Sequence, residues 1–356
     1  MQTKMVYVLH EYGSNSHYNG LKVLCQNHHI KLVFREFRFL HLIGSGIEHR
    51  NLKRIFKQPV NFVFLLSLLF TRERTVVLGM HPYDWKLPIL ELLLRKHKIY
   101  YHSSFTAWNP SDMEKYKYTS ERKINRIKDF IRNKTIHIFA VTQKAKSSIC
   151  SFTGIGEDKV SVVYHSYTFP LKPATTPPVN RYIYVGRMDK QKGIEEICDY
   201  FSKHPSLIIT FIGDGDYLSY IKEMSNKYDN IIYEGYIKGL KNLMPYYQKN
   251  AFFILNSKRT NEWEELFGQV LIEAMACGCV PISVDHSGPK EIISDKKNGF
   301  LFPEGELNKI LDEVSSFDQK KYQDLRINAI ATGKSYNANE IAKRWEPIFF
   351  KSENLL

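Results

Sequence analysis

Short apolar runs of about five to eight residues alternate along the whole chain with stretches in which apolar positions recur every three or four residues. The first kind reads as strands buried on both faces and the second as helices laid over them, a combination that predicts parallel sheets with crossover helices. In the amino-terminal half the predicted strands are 5–10 (MVYVLH), 30–37, 75–80, 98–103, 136–141 and 159–165. The segment 171–180 (LKPATTPPVN) has three prolines and few large apolar residues, and reads as an extended linker. A second alternating series follows, with strands at 181–186, 207–213, 230–235, 251–257 and 280–284 and helices starting near 193, 216, 240 and 268. The expected architecture is α/β, with two doubly wound domains, 1–170 and 171–336, whose parallel sheets face a central cleft. Residues 337–356 are expected to form a helix that packs back on the first domain. Ligands of such domains lie at the carboxyl ends of the strands, where loops and helix starts converge.

Composition supports two cores: 356 residues, 43% hydrophobic and 13% aromatic, exclude a disordered or fibrous chain. The longest apolar run, FVFLLSLLF at 62–70, is far shorter than the roughly 18 to 20 residues of a spanning helix. The start, MQTKMVYVLHEYG, lacks a small-residue cleavage site and reads as a first strand, so a cytoplasmic location is expected. Cys25, Cys150, Cys198, Cys277 and Cys279 lack paired spacing and read as reduced core thiols. Charge changes the picture. Residues 1–170 carry 26 Lys and Arg against 12 Asp and Glu, a net +14, whereas the remainder carries 24 against 25. Such asymmetry implies that the first half meets an anionic surface, whether phospholipid, a phosphorylated carrier or nucleic acid. The competing reading is an ordinary solvated basic face.

The densest chemical signal is ELFGQVLIEAMACGCVPISV, 265–284. Phe267-Gly268 precedes a helical run, so the amides of Gly268, Gln269 and Val270 would form a first turn open to an anion. Glu265 stands just outside that helix and Glu273 lies about 7.5 Å along it. Carboxylates beside a phosphate-sized gap suit a ligand with both phosphates and sugar hydroxyls, as a nucleotide sugar has. Taken singly, each is read first in the plainer way, Glu265 as a partner of the helix dipole and Glu273 as a solvated face residue.

Glu265 and Glu273, with seven residues between them and AMACGCVPI after them, resemble the EX7E signature of retaining glycosyltransferases, family 4, with the GT-B fold of two Rossmann-like domains. YVGRMDKQKGIEE (184–196), FIGDGDYLSYI (211–221), YEGYI (233–237) and SGPKEIISDKKNGFLF (287–302) resemble further blocks of that family in order and spacing. The resemblance covers roughly 181–305. It implies transfer of a hexose from a UDP- or GDP-sugar with retention, without metal or other cofactor, and assigns Arg187 and Lys192 to the diphosphate. It further implies that Glu265 contacts the donor sugar and Glu273 the ribose, with Gly186 and Phe267 beside the donor and Tyr236 and Ile237 near the base. Fixed positive charge at that place is what departure of a diphosphate requires. Asp214-Gly215-Asp216 has the form of a metal-binding DxD, but follows a strand and holds a turn glycine, so it reads as a loop and no metal site is expected.

The first half carries thinner signals. The loop 11–20 (EYGSNSHYNG), with Gly13 and His17, resembles the glycine-containing loop that faces the diphosphate in this fold, but lacks the GxGxxG of a dinucleotide site. His81 and His102 stand at strand ends, His102 as a catalytic candidate and His81 and His17 on the acceptor side. The sequence departs from the family at 162–169 (VVYHSYTF) and at 257–264 (SKRTNEWE), which leaves the donor open. In 50–74, cations flank an apolar centre, and 120–134 is again basic, so contact with an anionic inner membrane face is expected. The leading reading is a transferase acting on a glycan or lipid-linked acceptor in cell-surface polysaccharide or lipopolysaccharide assembly, with no nucleic-acid partner. A basic nucleic-acid-binding protein and another GT-B enzyme, such as a sugar-nucleotide epimerase, are the alternatives; the first explains the charge but not the motif series.

Overall fold

A computed structural model describes residues 4–12, 15–38, 44, 52–260 and 263–350. The chain divides into two units, one holding residues up to Ser166 together with those from Ala338, the other Tyr167–Asn337. In the first, β1 (Met5–His10), β2 (Lys31–Glu36), β3 (Thr75–Gly79), β4 (Lys98–Ser103), β5 (Thr135–Ala140) and β6 (Val160–Val162) form one parallel sheet in the order β2-β1-β3-β4-β5-β6. Alternate strand residues serve opposite faces. Tyr101 enters the core beneath helices Leu52–Phe70, Leu87–Leu94 and Glu121–Asp129, whereas Tyr100 stacks on Phe349 of helix Ala338–Phe350. That last helix packs on Asn19–Asn27, where a β-carbon at Gly20 would lie 2.8 Å from Ile341.

The second unit repeats the plan with β7 (Arg181–Val185), β8 (Ile208–Ile212), β9 (Ile231–Tyr233), β10 (Phe252–Leu255), β11 (Val280–Val284) and β12 (Phe300–Phe302), ordered β12-β11-β10-β7-β8-β9 and again parallel. The strand β12 was not predicted: its Phe300–Phe302 follows the polar, turn-forming stretch 294–299 with no apolar run leading into it. The proline-rich stretch expected as a linker belongs to this unit. Gln248, Arg326 and Gln319 donate to the carbonyls of Lys172, Ala174 and Pro177, so side chains distant in sequence hold a segment that has no ladder of its own. Strand order reverses between β1 and β3 in one sheet and between β7 and β10 in the other. In doubly wound sheets such a reversal opens a crevice beyond the carboxyl ends.

Candidate functional site

At the reversal in the second unit, the chain leaves β7 through Gly186 and the loop to Lys192, and leaves β10 through Asn256 and Ser257. Lys192 closes the short turn Lys190–Lys192, and Gly193 after it has φ +58, with a β-carbon position 2.4 Å from the Asn256 carbonyl. Only glycine lets the two loops lie this close. The buried Asn256 side chain donates to the Gly193 carbonyl at 3.2 Å and to Glu196 at 2.9 Å, tying the loop ends together.

This closeness brings Lys192 Nζ within 2.7 Å of Glu265 Oε2, and the Ser257 hydroxyl donates to the same oxygen at 3.3 Å. Both charged side chains are largely buried, at 11% and 15% exposure, and Lys192 also sits 4.5 Å from the centre of the Trp263 ring. His286, fully buried, accepts from the Glu265 amide through Nδ1 at 3.2 Å and meets Glu304 through Nε2 at 2.7 Å. Glu265 is thus fixed through both its backbone and its carboxylate. Three residues on, Gly268 (φ +82) caps helix Gln269–Cys277, whose first amides have no partner within the helix. Helix Ser287–Ile292 approaches so closely that a β-carbon at Gly288 would lie 2.3 Å from the Phe267 nitrogen.

Glu273 is not a solvated face residue. It is 6% exposed, accepts from the Tyr247 hydroxyl at 3.4 Å and from Gln269, and burial pushes its pKa up to about 7. Arg187, by contrast, is 68% exposed and pairs with Asp189 at 2.7 Å. Its backbone is held by the Tyr184 hydroxyl, which donates to the Arg187 carbonyl. The Phe267 ring is buried near Tyr336. Tyr236 and Ile237 stand in the loop after β9, two strands away from β7 in the sheet order, with Tyr236 exposed and Ile237 half-buried.

The Asp214-Gly215-Asp216 loop packs on the loop after β7. The Met188 amide donates to the Asp214 carbonyl at 2.9 Å, and the Gly215 amide to the Asp214 carboxylate at 2.8 Å. A β-carbon at Gly213 would lie 1.8 Å from the Gly186 carbonyl, so these glycines let two backbones touch. Among the described residues, no group of three or more His, Cys, Asp or Glu side chains could hold a metal ion.

In the first unit, His17 and His102 fall into one cluster with two histidines that sequence reasoning did not single out. His17 lies 4.3 Å from His165 and 6.0 Å from His10, and His102 lies 4.6 Å from Tyr18 and stacks on Trp345 at 5.8 Å, all ring to ring. Burial and mutual repulsion push the His10 pKa down to about 4 and that of His102 far below the usual imidazole range. His81 lies elsewhere, edge-on to Phe105 and stacked on Tyr116, and its Nδ1 accepts from the Tyr83 amide at 3.1 Å. Gly13 lies outside the described residues. Asn256, Ser257, Trp263 and His286 were also missed; each is chemically ordinary in sequence, and the first three gain their place through the loop after β10 and His286 through the one after β11.

Residues 172–332 match the family model of Glycosyl transferases group 1. Among curated proteins, the chain is 26% identical to spore coat protein SA of Bacillus subtilis over 157 residues, 39% of this chain and 40% of that one. It is 27% identical over 167 residues, 45% of this chain and 43% of the other, to a Campylobacter jejuni 4-alpha-N-acetylgalactosaminyltransferase acting on a diphospho-undecaprenol-linked sugar. The matched stretch spans less than half of each relative. Solved structures are similar over nearly the full length: Anabaena HepE in complex with UDP (TM-score 0.67, 14% identity, 96% of this chain and 98% of that one) and the lipopolysaccharide outer core galactosyltransferase WaaB (0.65, 16%, 98% and 99%). The chain therefore has the GT-B fold, with a Glycosyl transferases group 1 domain in its second unit.

Proposed function

We propose that this protein is a retaining, metal-independent glycosyltransferase of family 4 that moves a hexose from a UDP- or GDP-sugar to a glycan or lipid-linked acceptor. Its setting would be cell-surface polysaccharide or lipopolysaccharide assembly at the inner face of the cytoplasmic membrane. The observation that carries the reading is the Lys192–Glu265 pair at the β7/β10 reversal, three residues ahead of the Gly268-capped helix start. A departing diphosphate needs fixed positive charge in a partly dry place. Lys192 provides a preorganised cation there, and Arg187 an exposed one. The first-turn amides of Gln269 and Val270 add the positive end of the helix dipole. Glu265, held by Lys192 and Ser257, is suited to accept from donor-sugar hydroxyls. Glu273 is suited to accept from the ribose.

The bound UDP of HepE and the galactosyltransferase description of WaaB support this assignment by likeness of fold. It is tested by thermal unfolding with UDP, GDP and ADP, each with and without EDTA. A ligand that binds only the folded state raises stability by RT ln(1 + [L]/Kd). Stabilisation by UDP or GDP that persists in EDTA is expected; no stabilisation by any nucleoside diphosphate overturns the proposal.

A further inference from the structure

Helix Leu52–Phe70 buries Phe64, Leu65 and Leu68 in the core but, unlike a usual surface helix, is apolar on its outer side as well. Its buried side includes polar Gln58 and Asn61, which donate to Glu36 at 3.2 Å each. Phe56, Val60, Val63 and Phe70, spaced three, four or seven residues apart, form a stripe open to solvent, with Phe56 71% and Phe70 87% exposed. The neighbouring helix Leu87–Leu94 packs beside it and feeds the same core, and it too turns apolar residues outward, Ile89 and Leu92, preceded by Trp85 at 71% exposure. Contiguous exposed apolar surface of this kind marks a contact face. Beside it, a groove of about 280 Å³ runs between the start of Leu87–Leu94 and helix Glu121–Asp129, lined by Trp85, Arg122, Lys123 and Arg126 among others. Lys123 also donates to the Tyr83 carbonyl, and Arg126 lies 3.8 Å from Glu91. The excess charge of the chain lies wholly in its first 170 residues.

We infer that this two-helix face docks in the interface of an anionic lipid bilayer, with the Phe56–Phe70 stripe and Ile89 entering the acyl boundary and Arg122 and Arg126 meeting headgroup phosphates. The charge decides the occupant: an apolar stripe bordered by cations, with a tryptophan at the boundary, is the pattern of an interfacial surface. No helix among the described residues is long and apolar enough to cross a membrane, and the contact inferred here is an interfacial one. The inference deepens the transfer reading by naming where a lipid-linked acceptor would be met, but its physical basis does not use the donor site.

The test is co-sedimentation of the full chain with phosphatidylcholine vesicles, with and without phosphatidylglycerol, at low and high salt. Binding only to the anionic vesicles, weakened by salt, is expected, with a blue shift of Trp85 emission that Trp85→Phe removes without removing binding. The double variant Phe56→Ser/Phe70→Ser should lower vesicle affinity about tenfold or more, because two large apolar side chains leave the acyl boundary. Arg122→Gln/Arg126→Gln should lower it and flatten its salt dependence. Absence of anionic-vesicle binding, or undiminished binding by the Phe double variant, overturns the inference. So does a self-associated form, seen by sedimentation velocity, that the Phe substitutions disperse without any vesicle binding. UDP stabilisation measured on the same variants reports folding and donor binding separately, so failure of docking and failure of the transfer reading give different results.

Discussion

Lys192 and Glu265 meet at 2.7 Å although 73 residues separate them, and the contact exists because β7 and β10 are neighbours at the point where the strand order reverses. Each of these two charges is the main compensation for the other's partial burial. Replacing one strands its partner, which costs more than the pair contributes. Lys192→Ala should therefore destabilise the fold by about 2 kcal/mol and abolish UDP stabilisation. Lys192→Ala/Glu265→Gln should recover part of the stability but not the binding. Chemical denaturation with and without UDP checks both; unchanged UDP binding in Lys192→Ala would remove this residue from the donor site.

Arg187 offers the contrasting case. Its side chain is 68% exposed, so Arg187→Ala should leave the unfolding temperature within experimental error. Under the proposed role, turnover should fall by roughly 10² to 10³, the effect of losing one donor aimed at developing charge. Steady-state rates with saturating donor measure this.

Glu273 links the site to pH. Its pKa, raised by burial to about 7, means that the folded state keeps a proton that the unfolded state releases near the usual carboxyl value. The associated stability is complete below the unfolded value and is lost as pH rises through 7. Glu273→Gln, which holds a neutral side chain at all pH values, should be more stable than the parent protein at pH 8 and no more stable at pH 4. If ribose is bound by the carboxylate, UDP affinity should increase as pH rises through 7 in the parent protein but not in the variant.

The histidine cluster has the opposite sign. His10, His17, His102 and His165 are all held below the ordinary imidazole range, mainly by burial. On unfolding they take up protons, so the first unit should lose stability as pH falls from about 6.5 towards 4. His102→Phe keeps a ring against Trp345 but cannot charge, and should shallow that loss. A pH profile identical to that of the parent protein would show that this histidine does not titrate with unfolding.

At Gly213, Gly213→Ala would drive a β-carbon into the Gly186 carbonyl at φ +148. The two loops cannot then stay in contact, so a loss of at least about 2 kcal/mol and of UDP binding are expected together. Circular dichroism melts with and without UDP check this.

Strand and helix positions were legible because short, mostly apolar runs read as buried parallel strands, as at Thr75–Gly79 and Val280–Val284. Candidate chemistry was legible where a motif is compact, as at 265–273. The four-histidine cluster was not: its members come from β1, the turn Asn15–Tyr18, β4 and the segment after β6, and no local spacing announces their meeting. Nor was the exposed stripe of Leu52–Phe70, because periodicity gives two faces of a helix without telling which one the core takes. There the buried side combines Phe64, Leu65 and Leu68 in the core with Gln58 and Asn61 bonded to Glu36, and the remaining apolar positions stay outside.

The sequence by itself determined the doubly wound α/β plan, the charge asymmetry between the halves and the stretch that holds Glu265, Gly268 and Glu273, since these depend on composition and local periodicity. Only the tertiary structure decided that Lys192 would neutralise Glu265, that Glu273 would be buried against Tyr247, and that an apolar helix face would remain uncovered. Those outcomes depend on strand order and on competition between side chains for one interior, and neither is written in any local stretch of residues.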